Sequence, residues 1–331
     1  MDARRKEPID GLEVQRAYLG IGKSCCAAGA QPHPNNREYA MAERQHNTID
    51  PIKLDRLAEV AIKVGLQLQP GQDVFLTGPV TALPLVRRIA EHAYKAGAGL
   101  VTPILSDEEI TLSRYRFAQD ASFDRAAGWL YERLAIVGDN PMLLAGEDAA
   151  KVARASKANS MAYRPAMERI TGFDINWNIV AFPGASWAKL VFPDDEEEAA
   201  VGKLADAIFA ASRADVADPI AAWTAHNAAL RARTDWLNGQ RFHALQYSGP
   251  GTDLTIGLAD GHEWVGGASI AKNGIVCNPN IPTEEVFTTP HALRVEGCVC
   301  STKPLSYQGT LIDNIAVRFE GGRIVEATAS R

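Results

Sequence analysis

From Asp50 onward the chain places apolar residues against polar ones at helical spacing. Leu54, Leu57, Ala61 and Val64 fall on one face, which predicts a helix with a single buried side. Asp50-Pro51 supplies its start, with a capping carboxylate and a proline at the first helical position, where no N–H is needed. Gly71 then precedes Val74-Phe75-Leu76-Thr77, a short apolar strand. Leu83, Val86, Ile89 and Ala93 line a second helix, Gly97 and Gly99 end it, and Leu100-Val101-Thr102-Pro103-Ile104-Leu105 forms the next strand. Strand, helix, strand is the βαβ grammar of a parallel sheet. Leu134-Ala135-Ile136-Val137-Gly138 extends it, a helical stretch covers about 147–170, and Asn178-Ile179-Val180-Ala181-Phe182 is a fourth strand. Two more helices are expected. One starts near Asp194-Asp195, whose acidic first turn through Glu198 suits the helix dipole, and one starts at Asp218-Pro219.

After Gly239 the period changes from helical to alternating. Arg241–Tyr247 and Asp253–Leu258 flank Ser248-Gly249-Pro250-Gly251, a hairpin signal. Ala316-Val317-Arg318-Phe319 and Arg323–Ala327 flank Glu320-Gly321-Gly322 in the same way. Residues 1–50 carry turn-formers and no apolar stripe, so they are expected to be a disordered N-terminal extension. Met41 stands just before the ordered region, and residues 1–40 are open to being an upstream extension. The expected layout is therefore 1–50 as extension, 51–238 as an N-terminal α/β domain, and 239–331 as a smaller, β-rich C-terminal domain. The fold class is α/β, with a mostly parallel sheet and flanking helices in the first domain.

Composition narrows the function. At 331 residues, 46% hydrophobic and 22% charged, the chain is globular and long enough for two cores. A formal net charge of −6 argues against nucleic-acid binding. No apolar run reaches the length of a membrane span, and the N-terminus lacks the apolar segment of a secretion signal. Five cysteines, Cys25, Cys26, Cys277, Cys298 and Cys300, do not make a disulfide framework, which points to the cytoplasm. Cys298 and Cys300 would share one strand face, a weak metal signal alone. Gly22-Lys23-Ser24 fails as a phosphate loop, because position 17 is Ala17 and no helix follows.

The segment Asn278–His291 holds the strongest chemical signal. Prolines at 279, 282 and 290 bracket Glu284-Glu285, so a carboxylate is held on a restrained backbone, as a metal ligand must be. Adjacent residues on an extended segment point to opposite sides, so one glutamate faces a site and the other solvent. Composition does not choose between them. The seven histidines (33, 46, 92, 226, 243, 262 and 291) form no zinc-binding helix motif. His226 is expected to cap or pair locally on its helix, and Asp260-Gly261-His262-Glu263 to be a polar turn. No nucleophile elbow is present, and Gly78-Pro79-Val80 stands where a dinucleotide fingerprint would follow the first strand.

The segment at 278–291 also resembles one in the aminopeptidase T and aminopeptidase S family of dinuclear metallo-aminopeptidases. The likeness runs from about Lys53 to Ser330. It includes Leu57-Ala58-Glu59-Val60-Ala61, Pro70-Gly71-Gln72, Lys157-Ala158-Asn159, Ala162-Tyr163-Arg164-Pro165-Ala166, Asn176-Trp177, Asp218–Trp223 and Gly249–Leu254. The resemblance implies a hydrolase that removes amino acids from peptides with a free N-terminus. It would use two divalent ions (Zn²⁺, Co²⁺ or Mg²⁺) that hold a bridging water and polarise the scissile carbonyl, and it would act as a homodimer. It matches Glu285, rather than Glu284, to the family's first glutamate ligand.

The family's further donors are a second glutamate, two histidines, an aspartate in a His-x-Asp arrangement and a nearby tyrosine. They lie past the point matched by Ala329-Ser330-Arg331. The second domain is therefore expected to be incomplete, and the polypeptide to be truncated at its C-terminal end and inactive. Several residues also look lost between Tyr131-Glu132 and Leu134-Ala135, which would shorten a crossover. The competing expectation is a non-catalytic binding or dimerisation module. A fragment produced by a frameshift or premature stop is a third.

Overall fold

Asp50 caps the first helix as its position predicts, its Oδ1 accepting from the Ile52 and Lys53 N–H groups at 2.8 and 3.3 Å. The structure, a computed structural model, describes residues 48–124, 133–138, 140, 142–307 and 310–330. The readings at 1–47, including Gly22-Lys23-Ser24, Cys25, Cys26, His33, His46 and the extension, and at Tyr131-Glu132 lie outside the described residues. Helix α1 (Pro51–Val60) leads into β1 (Val74–Pro79), α2 (Leu83–Lys95), β2 (Val101–Ser106), α3 (Glu108–Phe117) and β3 (Arg133–Val137). Then come α4 (Ala149–Thr171), β4 (Asn178–Ala181), α5 (Ala185–Val191), α6 (Glu197–Ala211) and α7 (Pro219–Gln240). The expected βαβ sheet is present, with order β2-β1-β3-β4 and every pair parallel. A fifth strand, β9 (Asn280–Ile281), joins parallel to β4 from far along the sequence.

Helical periodicity becomes burial here. Leu54 and Leu57 of α1, Leu85 and Ile89 of α2, and Leu204 and Phe209 of α6 form one core cluster with Leu76, Ile136 and Val180 of the sheet. Phe75 and Ala135, of the opposite strand parity, are buried outside that cluster, as are Val152, Ala155 and Ile170 of α4. Helix α6 starts at Glu197, later than expected, and Asp195 stands before it with its carboxylate 2.7 Å from Lys203 Nζ. The β2–β3 crossover carries α3 and so retains the length a parallel connection needs.

The end of the first helix departs from the simple pattern. Past Val60 the backbone widens into a π-helical turn, Ala61–Leu66, closed by Gln67 in the left-handed region. The helix ends here, so its last carbonyls have no partner within it. Asn278 N–H donates to Gly65 O at 2.9 Å and Val64 O at 3.3 Å, and Asn176 Nδ2 donates to Leu66 O at 2.8 Å. Asn178 Nδ2 in turn donates to Asn278 O at 2.7 Å. The polypeptide beyond residue 238 is thus fastened to the first sheet by buried hydrogen bonds, while Asn178 Oδ1 has no partner among the described residues.

The remaining strands form an antiparallel sheet. β5 (Ala244–Gly249), β6 (Thr252–Leu258), β10 (Pro290–Cys300), β12 (Thr310–Glu320) and β11 (Leu305–Tyr307) lie side by side, and β13 (Arg323–Ser330) pairs with β12. A two-strand ribbon, β7 (Ser269–Ile270) with β8 (Val276–Cys277), precedes β9. The expected hairpins are both present. Gly321 and Gly322 connect β12 to β13 with φ of +55° and +77°, the two positive values that a tight primed turn requires. Cross-strand partners sort by polarity. Leu245, Ile256 and Val295 are in register, as are Val299, Val317 and Ala327, so apolar side chains share a face. Gln246, Thr255 and Glu296 align on the other side. Described residues leave much of the apolar side half-exposed, and Ile324 and Tyr247 are open.

Gly65 tests the junction. A Cβ there would stand 2.5 Å from Asn178 Cγ. An alanine gains about 1 kcal/mol of helix propensity, but overpacking a rigid buried site costs about 1–3 kcal/mol. The clash should win because the Asn178 amide is held by its own hydrogen bond. Gly65→Ala is expected to lower the urea midpoint by an equivalent of about 1–2 kcal/mol, whereas Gly239→Ala, which meets nothing within 4 Å, should not lower it.

Candidate metal-ligand segment

The carboxyl end of β9 opens directly onto the acidic segment. In open parallel sheets the ends of strands present backbone and loops to ligands, and the backbone leaves β9 there through Pro282, Thr283, Glu284 and Glu285. The Ile281–Pro282 peptide is cis and Thr283 is buried, while both glutamates are exposed. Further on, Val265 and Phe287 exchange two backbone hydrogen bonds of 2.9 Å, and Thr288 Oγ1 donates to Glu263 O at 2.7 Å. The segment is therefore held at both ends.

The two glutamates have different surroundings. Arg213 Nη2 donates to Glu284 Oε1 at 2.7 Å. Arg213 itself sits just past α6 in the left-handed region, its guanidinium 5.2 Å from the Trp223 ring centroid and its Nη1 donating to Ala211 O at 3.2 Å. Trp223 is fully buried on α7, and its indole N–H donates to Ser212 O at 2.8 Å. Glu284 is 62% exposed, so its ion pair is worth less than about 1 kcal/mol. Among the described residues Glu285 has no such cation. Its Oε2 accepts from the Glu284 N–H at 3.1 Å.

His226 corrects the expectation of local pairing. Its ring packs edge-on against Trp223, with centroids 5.5 Å apart, and reaches across to the acidic segment. Nε2 lies 2.7 Å from Thr283 O, and Nδ1 lies 3.0 Å from Arg213 Nη2. The ring is held by packing on α7, so its polar edge has to answer a distant backbone group. At the next position, Asn227 and Asn278 form a reciprocal amide pair at 2.8 and 2.9 Å. No sequence motif marks Arg213 or this amide pair, although Asn278 and Thr283 lie inside the segment that composition singled out.

Other expected positions are separate. His262 bonds Ala259 O across its turn at 2.9 Å, and Asp260 pairs with Arg294 at 2.8 Å, which holds the Asp260 carboxyl below its ordinary range. His291 accepts from Leu293 N–H at 3.2 Å. Cys298 and Cys300 lie two apart on β10, and burial pushes the Cys277 thiol up. Among the described residues no three of His, Cys, Asp or Glu converge as a metal site would require. Glu285 is one exposed carboxylate, and a stable zinc site takes three or four protein ligands. The described residues therefore do not fit a two-ion centre.

The chain is similar to known proteins over most of its length. A profile of a family described as thermophilic metalloprotease (M29) matches residues 51–331. Aminopeptidase T of Thermus thermophilus is 51% identical over 289 residues, covering 84% of this chain and 71% of that protein. Aminopeptidase T of Thermus aquaticus is 49% identical with the same coverage, and aminopeptidase 2 of Geobacillus stearothermophilus is 40% identical over 290 residues, or 84% and 70%. The solved structure of wild-type AmpT from Thermus thermophilus aligns with a TM-score of 0.78 at 48% identity, covering 84% of this chain and 72% of that one. No helix among the described residues is long and apolar enough to cross a membrane.

The amide pair gives a direct test of what anchors the segment. Replacing Asn227 alone leaves the buried Asn278 amide without partners, which costs about 1–3 kcal/mol. Asn227→Leu is expected to destabilise in urea titration by that amount. The double substitution Asn227→Leu/Asn278→Leu should cost less than the single one, since no unpaired amide remains.

Proposed function

The chain belongs to the thermophilic metalloprotease family M29, and from that premise we propose that it acts on peptides with a free N-terminus as a metal-dependent aminopeptidase, releasing N-terminal amino acids. The observation that carries the reading is the division of labour between neighbouring carboxylates. Glu284 is taken up by Arg213, while Glu285, on the segment leaving the parallel sheet, keeps a carboxylate free of any cation among the described residues. Glu285 is the residue we assign as metal ligand. The names of the relatives support the substrate class. Two divalent ions, Zn²⁺, Co²⁺ or Mg²⁺, are the cofactors we propose for the complete family site, with a cytoplasmic homodimer as its setting. In that layout residues 51–238 form the α/β domain and 239–331 part of the metallopeptidase domain.

One donor among the described residues does not retain two ions, so we expect the polypeptide on its own to be inert. A second reading draws on the same absence of convergent donors among the described residues, and on the half-exposed apolar side of the antiparallel sheet. On that reading the retained α/β domain is a non-catalytic binding or dimerisation module, and the exposed apolar sheet side is a separate surface.

Assay of the purified 331-residue polypeptide with amino-acid p-nitroanilides, with added Co²⁺ or Zn²⁺, should give no metal-stimulated release of nitroaniline. Robust turnover that Glu285→Ala abolishes would refute the inertness and support the assigned ligand. Turnover that survives Glu285→Ala would remove Glu285 from the site. Metal-independent capture of peptides with free N-termini, in the absence of turnover, would favour the module.

A further inference from the structure

We infer that Cys298 and Cys300 form a two-sulfur site for a soft, thiophilic cation of the cuprous type. Strand parity alone is a weak signal, and the register around the pair strengthens it. Both thiols are free, Cys298 exposed and Cys300 half-buried, at the end of β10. No bulge separates them. Cys298, Val299 and Cys300 pair in unbroken register with Arg318, Val317 and Ala316 of β12. On the other side Cys298 faces Asp253 of β6, and the Cys300 N–H donates to Thr252 Oγ1 at 3.3 Å. Both side chains therefore leave the same face of the sheet, the one that carries Asp253 and Arg318. Small neighbours leave room for the sulfur of Cys300. Ala316 lies opposite it on β12, and Gly251 lies on its β6 side, where a Cβ would stand 2.9 Å from Cys300 Sγ.

Spacing decides what the pair takes. Two residues along a strand put the Cα atoms about 6.7 Å apart. That is close to the upper end of the roughly 4.4–6.8 Å span of disulfides, and β10 is paired on both sides there, so it does not shorten without losing ladder bonds. A centre standing between the sulfurs has no such need, because its two bonds to sulfur cover part of the distance. Among the described residues no third His, Cys, Asp or Glu converges with the pair, which selects a ligand satisfied by two sulfurs. Thiolates are soft donors and favour monovalent copper over hard cations. The charge of the face points the same way. Asp253, Glu296, Glu320 and Glu326 outweigh Arg318 and Arg323 there, so a cation is attracted and an anionic thiol reagent is repelled. Binding exchanges two S–H bonds for two S–Cu bonds and releases two protons to solvent, with no change of oxidation state. The site lies on the antiparallel sheet, and its test does not depend on Glu285.

The test uses the 331-residue polypeptide carrying Cys25→Ser and Cys26→Ser, which removes the other adjacent thiols. Anaerobic titration with Cu⁺ against a chromogenic copper chelator should show a single ion held per chain. Cys298→Ser and Cys300→Ser should each weaken that binding about tenfold or more. Phenylarsine oxide reads the spacing of the pair separately. Two S–H bonds and the arsenic–oxygen bond break, two S–As bonds form, and one water leaves. Intact-mass spectrometry should show a single arsenical per chain, retained in excess monothiol, displaced by a dithiol, and absent from either serine variant. Copper binding indifferent to both serine substitutions, or its loss in one variant alone, would overturn the inference. So would arsenical capture without copper capture, or a Cys298–Cys300 disulfide that forms in air in the folded chain. Because the stoichiometry and the disulfide are read before Cys298 or Cys300 is changed, a serine variant that does not fold still leaves the idea open to refutation.

Discussion

The contact between the π-helical turn and the asparagines beyond it is the constraint from which the rest follows. A regular helix bonds its carbonyls along its own axis, leaving none for a neighbour except at its end. Ala61–Leu66 is such an end, closed by Gln67, and there the carbonyls of Val64, Gly65 and Leu66 accept from Asn278 and Asn176. The arrangement demands a residue without a side chain at Gly65, because the Asn178 amide occupies the space a Cβ would need. π-Turns are often kept where function requires them. Here the turn joins segments more than a hundred positions apart in sequence.

Once Asn278 is fixed, the path of the acidic segment is largely determined. Its backbone N–H meets the π turn, its carbonyl meets Asn178, and its side chain pairs with Asn227 of α7. Two residues later β9 enters the parallel sheet beside β4. The backbone then leaves past His226, on the same helix as Asn227, and Arg213. Helix α7 thus holds the segment at two adjacent positions, before β9 through an amide pair and after it through a ring nitrogen. The exposed Glu284–Arg213 pair contributes little stability by itself. Its value lies in direction, because it takes one of two adjacent carboxylates out of contention.

Much of this fold is legible in spacing alone, and the exceptions have physical causes. The helices that bury a stripe, α1, α2, α6 and α7, show it in Leu54, Ile89, Leu204 and Trp223, and capping carboxylates at Asp50 and Asp218 mark two starts. Helix α3 leaves no such trace because it buries nothing. It rests instead on the Asp107 cap, with Glu108 and Glu109 in its first turn and Arg114 and Arg116 in its last. Periodicity reports burial, so a helix that buries none of its residues shows no stripe. In the site, resemblance reaches Glu285 and strand geometry gives the two-sidedness of Glu284-Glu285. Neither reaches Arg213 or the long span of His226, since a left-handed residue after a helix and a ring turned across to a distant carbonyl are tertiary facts with no local pattern.

The two sheets also differ in what holds them, and this bears on where the acidic segment gets its order. The parallel sheet lies against enclosed side chains such as Leu57, Leu76, Ile89 and Phe209, each essentially inaccessible. In the antiparallel sheet all of β13 is exposed, and Leu245, Ile256, Val295 and Val317 are only half covered by described residues. Apolar burial scales with area removed from water, at about 25 cal/mol per Å², so the second sheet draws proportionally less from its side chains and more from its backbone ladder. The Asn278–Glu285 segment touches both regions, yet its buried hydrogen bonds run to the π turn, β4 and α7. Loosening of β12 and β13 would therefore leave Glu285 in place, whereas loss of the π-turn contacts would release it. The candidate ligand belongs mechanically to the α/β half, although in sequence order it comes only after the antiparallel sheet has begun.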